Sequence, residues 1–432
     1  LGEPRGESRR KSCGGPTRSR SAGLNQGVSR LRTRSRSIPD GQRRTAIGPL
    51  PPAGGLKHPE RSSAPAMPFA PPNLTAALPA AAPEVVTALL RRCVEAGASD
   101  LHLHRDGSGG EVRFRLDGVL GPPEPLPPEI VERIFGRVKY LARLSTWQEQ
   151  TPQDGRMDRA ATGLPHDVRV ATYPTATGEL MVLRLVALPT AIELASLGLP
   201  AGVRRELERA LARTDGLLLL TGPAGSGKTT TIYACLRELT TVRPRHVITI
   251  EDPVEQVLSG LTQTEIREAA GLTYARAARH LLRHDPEVLV IGEVRDDETA
   301  QVAMRAALTG HLVISTLHAG SCRGVFERLV SLTRDTGALA STAVTVVNQR
   351  LFRRLCGRCR GEGCAGCLAS GYRGRVPAAE VFTPGEEDRA RLRAGRLDEL
   401  APAEPLAAAA RALVGEGATD HAEFRRVLGH EP

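Results

Sequence analysis

The chain has 432 residues, enough for two or three domains of roughly 100–200 residues each, and 41% of them are hydrophobic, which supports packed cores. Aromatics are only 3%, so those cores must rest on Leu, Val, Ala and Ile; no stretch approaches the ~20 apolar residues of a membrane helix, and no apolar signal segment is visible. The net charge of +10 belongs to residues 1–66 alone, because residues 67–432 carry equal numbers of acidic and basic side chains, which argues against a core built to grip nucleic acid.

Residues 1–66 are rich in Arg, Ser, Gly and Pro, have no hydrophobic period, and are expected to be disordered. Two readings fit them: a basic arm for nucleic acid or anionic lipid, or sequence upstream of a natural start at Met67, the first methionine. Residues 67–83 are Pro/Ala-rich and read as a linker. A first domain, expected to be α+β, covers 84–188. It opens on a helix to about residue 97 with Val86, Leu89, Leu90 and Val94 on one face. A strand over 111–116, a helix over 128–144 and two strands over 167–173 and 180–185 follow.

After a helix at about 201–213, short apolar runs at 217–221, 247–251, 288–292 and 311–317 alternate with helical segments, the pattern of an α/β domain whose sheet is buried on both faces. This core is expected over 189–352, and a zinc-knuckle and helical C-terminal region over 353–432, with helix at about 325–352 and again over 386–430. A cytosolic setting is expected, so Cys93, Cys235 and Cys322 read as small buried hydrophobes rather than disulfide partners.

The chemistry starts at Gly222-Pro223-Ala224-Gly225-Ser226-Gly227-Lys228-Thr229, followed by Thr230, a full match to the phosphate-binding P-loop. It follows an apolar strand and opens a helix, so its backbone N–H groups and the helix N-terminus converge on phosphate. Only four lysines occur beside 54 arginines, and one is Lys228. A compact ammonium reaches the β- and γ-phosphates where a guanidinium fork does not fit. ATP is the expected nucleotide, and Thr229 the expected Mg²⁺ ligand. Residues 288–291 form an apolar run that leads through Gly292 to Glu293, a Walker B arrangement in which Glu293 is the candidate base. Gly292 stands where an Asp commonly helps hold Mg²⁺, so Glu251 and Asp252 are candidates for that support. Cys356-Gly357-Arg358-Cys359 and Cys364-Ala365-Gly366-Cys367 are two CxxC knuckles, a tetrathiolate zinc pattern; four reduced thiols are the alternative. Only Arg360, Gly361, Glu362 and Gly363 separate them, and the two glycines suit the reversal that one shared metal requires.

Residues 248–255 and 309–318 resemble the Asp box and His box of the type II secretion and type IV pilus assembly ATPases. The Walker B region 292–296 and the first-domain segments 98–102, 112–118 and 153–156 resemble theirs too. The resemblance implies a RecA-like P-loop NTPase domain in a hexameric motor that hydrolyses ATP to drive pilus or pseudopilus assembly or protein secretion. It implies Arg169 and Arg184 as arginine fingers and His318, more than His311, as a sensor of the γ-phosphate. It also implies a cytoplasmic protein attached to the inner membrane through a platform partner, while the neutral core and scarce aromatics lead to no expected direct contact with nucleic acid. A nucleic-acid-translocating ATPase and a nucleotide-binding structural subunit are the alternatives.

Overall fold

The computed structural model describes residues 82–164, 167–185, 193–242, 244–367 and 369–430. The expectations for residues 1–66, for Met67 and for the body of the 67–83 linker lie outside these residues.

The first domain runs α1 (Ala82–Ala96), β1 (Ala98–Asp106), β2 (Gly109–Leu116), β3 (Val119–Leu120), β4 (Glu124–Leu126), α2 (Pro128–Leu141), β5 (Gln153–Met157), α3 (Arg159–Thr162), β6 (Val168–Pro174) and β7 (Gly178–Leu185). Its antiparallel sheet has the order β3-β2-β1-β7-β6-β5, with β4 added along β2. The helices α1 and α2 cover one face. Val85, Val86, Leu89 and Leu90 of α1 and Val131, Ile134, Phe135 and Val138 of α2 pack with Leu101, Leu103, Val112, Val170, Met181 and Leu183 of the sheet. Period-two alternation therefore turns the intervening polar residues to the opposite face. Val94, expected on the buried face of α1, is 38% exposed, because Cys93 continues the buried stripe instead.

The second domain runs α4 (Ala201–Leu211), β8 (Gly216–Thr221), α5 (Lys228–Arg237), β9 (Val247–Glu251), β10 (Thr262–Glu265), α6 (Tyr274–Leu281), β11 (Val288–Ile291), α7 (Asp297–Leu308), β12 (Leu312–Thr316), α8 (Cys322–Thr333), α9 (Thr336–Ser341), β13 (Val344–Leu355), β14 (Tyr372–Phe382), α10 (Glu386–Arg393), α11 (Leu406–Gly415) and α12 (His421–Leu428). Its sheet has the order β10-β9-β11-β12-β8-β13-β14. All pairings are parallel except β13 with β14. Every residue of β8, β11 and β12 is buried, as the apolar runs require. Separate apolar clusters cover the two faces, one through α6, α7 and α8 and the other through α4 and α5. Cys93, Cys235 and Cys322 are each fully buried.

Two corrections concern the end of the chain. The helix expected to continue to residue 352 stops, and β13 takes over at Val344. Val344, Val346 and Val347 are β-branched, and β13 is paired on both sides, so sheet context decides its conformation. The division expected at 352/353 therefore falls inside β13. The cysteine segment is an insertion between two strands of the main sheet, not the start of a separate region. Beyond it, α11 and α12 pack on β13 and β14 through Phe352, Val376, Ala409, Ala410 and Phe424.

The two domains touch at the β2–β3 turn, where the Gly374 N–H donates to Asp117 Oδ2 at 2.8 Å. Asp117 Oδ1 also lies 4.0 Å from Arg375 Nε.

Candidate functional site

The strand β8 ends at the same edge of the sheet as β11 and β12, and the chain must turn there before α5 begins. Gly222, Gly225 and Gly227 take φ values of +139°, +73° and +89°, conformations that side chains oppose. Two of them also face a wall. A Cβ on Gly222 would lie 2.5 Å from the carbonyl oxygen of Gln349, and one on Gly227 would lie 2.8 Å from Gln349 Nε2. A Cβ on Gly225 would meet nothing within 4 Å, so the crest of the loop is open to a ligand. Pro223, Ala224 and Thr229 are exposed, whereas the Ser226 hydroxyl is buried without a hydrogen-bond partner. Lys228 bends back so that Nζ donates to the carbonyl oxygens of Gly222 at 2.8 Å and Pro223 at 3.0 Å. Burial lowers its pKa, the Glu293 charge opposes that shift, and Arg350 adds to it. An open cradle, a helix N-terminus and an ammonium held by weak carbonyl partners fit a phosphate chain.

A cavity of about 310 Å³ beside this loop is lined by Lys228, Thr229, Glu251, Asp252, Glu293 and His318 among others. Glu293 stands one residue past the peptide of Gly292. Its Oε1 lies 3.0 Å from His318 Nε2, and its Oε2 accepts from Arg295 Nε at 2.7 Å. Arg295 also approaches Asp252 at 3.9 Å. Glu251 lies in the cavity wall with its oxygens already engaged: Oε2 accepts from the Tyr233 hydroxyl at 2.6 Å, and Oε1 from Thr249 at 2.6 Å and Gln263 at 2.9 Å. Burial and the Glu251 contact push the Tyr233 phenol well up. Gly292 has a steric reason. A Cβ there would lie 3.0 Å from the Tyr274 hydroxyl and 3.1 Å from the carbonyl of Ile250. His311 sits at the far end of β12, against the Ala306 carbonyl at 3.1 Å, and belongs to the end of α7 rather than to this cavity. A second cleft of about 360 Å³ lies behind the loop, lined by Gly227, Thr230, Leu197, Leu199, Leu351 and Pro377.

Arg169 and Arg184 are direct cross-strand partners on the exposed face of the first sheet. The same row continues to Arg156 on β5, and on the other side to Asp100 on β1 and Arg115 on β2. Like charges placed directly opposite each other destabilise a sheet. Asp100, 3% exposed, offsets part of this by accepting from Arg184 Nε at 2.8 Å. Burial works to raise its pKa, but the hydrogen bonds from Arg184 and Ser99 and the charges of Arg184 and Arg115 hold the carboxyl below its ordinary range. Arg169 and Arg184 also act on Glu255, a cavity-lining acid whose pKa is raised by burial and by the Glu251 charge and drawn down by the two arginines. The charges of Arg169 and Arg184 thus bear on one acid of the cavity wall.

The four cysteines converge. Cys356, Cys359, Cys364 and Cys367 have their sulfurs within 4.8 Å of one another, with separations of 3.9 Å for Cys356–Cys364 and 3.7 Å for Cys359–Cys367. A tetrahedral zinc thiolate with Zn–S of about 2.3 Å needs sulfurs ~3.8 Å apart. Backbone N–H groups of Gly363 and Cys364 point at Cys359 and Cys367 Sγ at 3.2 Å each, the contacts that stabilise thiolate. Gly361 and Gly363 take φ of +106° and +88°, so the four-residue spacer closes through glycine. The donor set fits zinc. A larger cleft of about 640 Å³ separates this knuckle from the end of α1, and no residue of the phosphate loop lines it.

Sequence reasoning missed Gln349, Tyr233, Tyr274 and the engagement of Arg295. The three consecutive polar residues Asn348, Gln349 and Arg350 inside an apolar, β-branched run were the available signal for the first.

A family model described as type II/IV secretion system protein matches residues 78–426. The type II secretion system protein E of Klebsiella pneumoniae is 39% identical over 334 residues, covering 71% of this chain and 66% of its own length. The type II secretion system protein HxcR of Pseudomonas aeruginosa is 38% identical over 342 residues, covering 77% and 73%. The chain thus spans about two thirds of the length of the curated relatives it matches. Among solved structures, the pilus retraction motor PilT with bound ADP is 27% identical with a TM-score of 0.56, over 79% of this chain and 96% of that one. The ATPase DotB of Legionella pneumophila is 21% identical with a TM-score of 0.61 over 83% and 97%, a likeness of fold.

Proposed function

This chain belongs to the type II/IV secretion system protein family, and we propose that it is an ATP-hydrolysing motor that powers protein secretion or the assembly of a pilus-like fibre. The observation that carries the reading is the convergence of Lys228, Thr229, Glu293 and His318 on one cavity at the carboxyl edge of the parallel sheet. The triphosphate lies over the loop with its γ end towards that cavity. Its base lies towards the second cleft, whose apolar walls are Leu197, Leu199, Leu351 and Pro377. Lys228 leaves the carbonyls of Gly222 and Pro223 for the phosphates. Thr229 and one or both of Glu251 and Asp252 hold Mg²⁺, which when bound neutralises charge on the phosphate oxygens. Because the oxygens of Glu251 already accept three hydrogen bonds, Asp252 is the freer carboxylate.

Glu293 takes the proton of the attacking water. His318, 3.0 Å from it, orients the carboxylate and senses whether the γ-phosphate is present. Arg169 and Arg184 approach from the first sheet and neutralise charge in the transition state. The four cysteines hold a structural zinc ion, which when bound fixes the fold of the knuckle and takes no part in hydrolysis. Six copies form the working assembly, in the cytoplasm, attached to the inner membrane by a platform partner that reads the closing of one domain on the other.

Steady-state Mg-ATP hydrolysis by the full chain, beside Glu293→Gln, tests this reading. Loss of a proposed general base typically costs about 10²–10⁴ in turnover, and ADP binding should survive. A Glu293→Gln protein that hydrolyses ATP at the wild-type rate would remove Glu293 from the chemistry. A wild-type protein that binds no nucleotide would end the motor reading.

A further inference from the structure

We propose that Gln349 is the positioning residue of the phosphate loop, an inference that rests on the nucleotide-binding reading above. Gln349 lies on β13, one residue past Asn348, which pairs with Thr221 at the end of β8. Its side chain is 2% exposed and makes two hydrogen bonds to elements that the loop joins. Nε2 donates to the Ser226 carbonyl oxygen at 2.6 Å, and Oε1 accepts from the Thr231 hydroxyl, itself buried in α5, at 3.0 Å.

The consequence follows from peptide geometry. The carbonyl of Ser226 and the N–H of Gly227 belong to one planar trans peptide, so they point in opposite directions. Holding the carbonyl against Gln349 turns the Gly227 N–H away from the strand and into the concavity where phosphate oxygens bind. Thr231 meanwhile ties the same carboxamide to the first turns of α5, so loop and helix N-terminus are set by one group. A Cβ on Gly227 would lie 2.8 Å from Gln349 Nε2, so the carboxamide also walls the loop at that glycine, while at Gly222 the wall is the backbone carbonyl oxygen of Gln349. A carboxamide donates to the carbonyl and accepts from the hydroxyl at once, whereas a carboxylate in the same place only accepts. Gln349 does not reach the reacting atoms, so its effect belongs in affinity rather than in the chemical step.

The test uses the full chain, binding of a fluorescent ADP and steady-state ATP hydrolysis. Gln349→Met keeps the length and the packing but loses both bonds. It should raise the ADP Kd and the KM for ATP by about tenfold and change kcat by no more than about twofold, the loss of uniform binding without loss of chemistry. Gln349→Glu keeps the acceptor for Thr231 but sets a carboxylate oxygen against the Ser226 carbonyl, and should weaken ADP binding at least as much as Gln349→Met. Thr231→Val spares the Ser226 bond and should weaken ADP binding less. Folded Gln349→Met with wild-type ADP affinity, or a fall in kcat at unchanged KM, would overturn the proposal. If Gln349→Met does not fold, Thr231→Val with a wild-type circular dichroism spectrum decides: weakened ADP binding supports the proposal and wild-type binding overturns it. A wild-type chain that binds no ADP overturns the nucleotide reading and this inference together, whereas a binding wild type with unaffected variants overturns this inference alone.

Discussion

Lysine is scarce in this chain, and both described lysines have their ammonium groups held by protein oxygens. Lys228 closes the phosphate loop. Lys139 is 1% exposed inside the first domain, where Nζ forms an ion pair with Glu179 at 2.8 Å and donates to the Gln148 carbonyl at 3.0 Å. Sequence reasoning applied the rarity argument to Lys228 because a motif surrounded it; nothing local marked Lys139. Removing one member of a buried pair leaves the other uncompensated. Lys139→Met should therefore cost about 3–5 kcal/mol in urea unfolding, and an unchanged midpoint would show that Arg105 alone satisfies Glu179. Gly292 illustrates the opposite limit. The sequence marks it as a missing acid, while the reason, Tyr274 packed above it, lies 18 residues away. Gly292→Asp should destabilise by about 1–3 kcal/mol through crowding, measured as a lowered thermal midpoint, and Tyr274→Ala in the same chain should relieve part of that loss. An aspartate accepted there at no cost would mean that Tyr274 moves freely.

At the scale of elements, the four central strands were legible because each is a short apolar run buried on both faces, the pattern least dependent on context. The strand β13 was not. Its first half is β-branched, but Asn348, Gln349 and Arg350 break the apolar run, and its partners β8 and β14 begin 128 residues before it and 28 after it. The strand β1 was missed too: Leu101 and Leu103 alternate with His102 and His104, but the run holds only two large apolar residues. The knuckle between β13 and β14 was legible from spacing alone, because CxxC sets two sulfurs on one side of a tight turn whatever surrounds it. Its placement inside the sheet was not. Cys359→Ser should reduce bound zinc, measured by elemental analysis, from about one ion per chain to a small fraction, and lower the thermal midpoint by several degrees. A purified wild-type chain without zinc, equally stable with and without a chelator, would favour the reading of four free thiols.

For the whole molecule, the two domains and their order were legible, and their mutual placement was not. Arg169 and Arg184 look like ordinary exposed strand residues in the sequence. Only the register of five strands reveals a single row from Arg115 to Arg156, and only the tertiary arrangement brings the charges of Arg169 and Arg184 to bear on Glu255. Such a row sets like charges side by side, and on the proposed reading the bound triphosphate relieves it. Arg184→Ala should accordingly lower kcat by about 10²-fold or more while leaving the ADP Kd within a few-fold, the signature of a group that acts late. Equal losses in ADP affinity and kcat would instead make Arg184 part of the ground-state binding site.

The continuity of β13 has a practical corollary. One unbroken strand of 12 residues leads from beside the phosphate loop to the edge of the knuckle, paired along its length with β14 and over its first half with β8. A dye on the knuckle and a dye near α5 should therefore keep one distance with and without nucleotide, measured by energy transfer. A dye on the first sheet, paired with the same knuckle label, should change its distance on nucleotide binding if the domains close, and a constant distance would count against that closure.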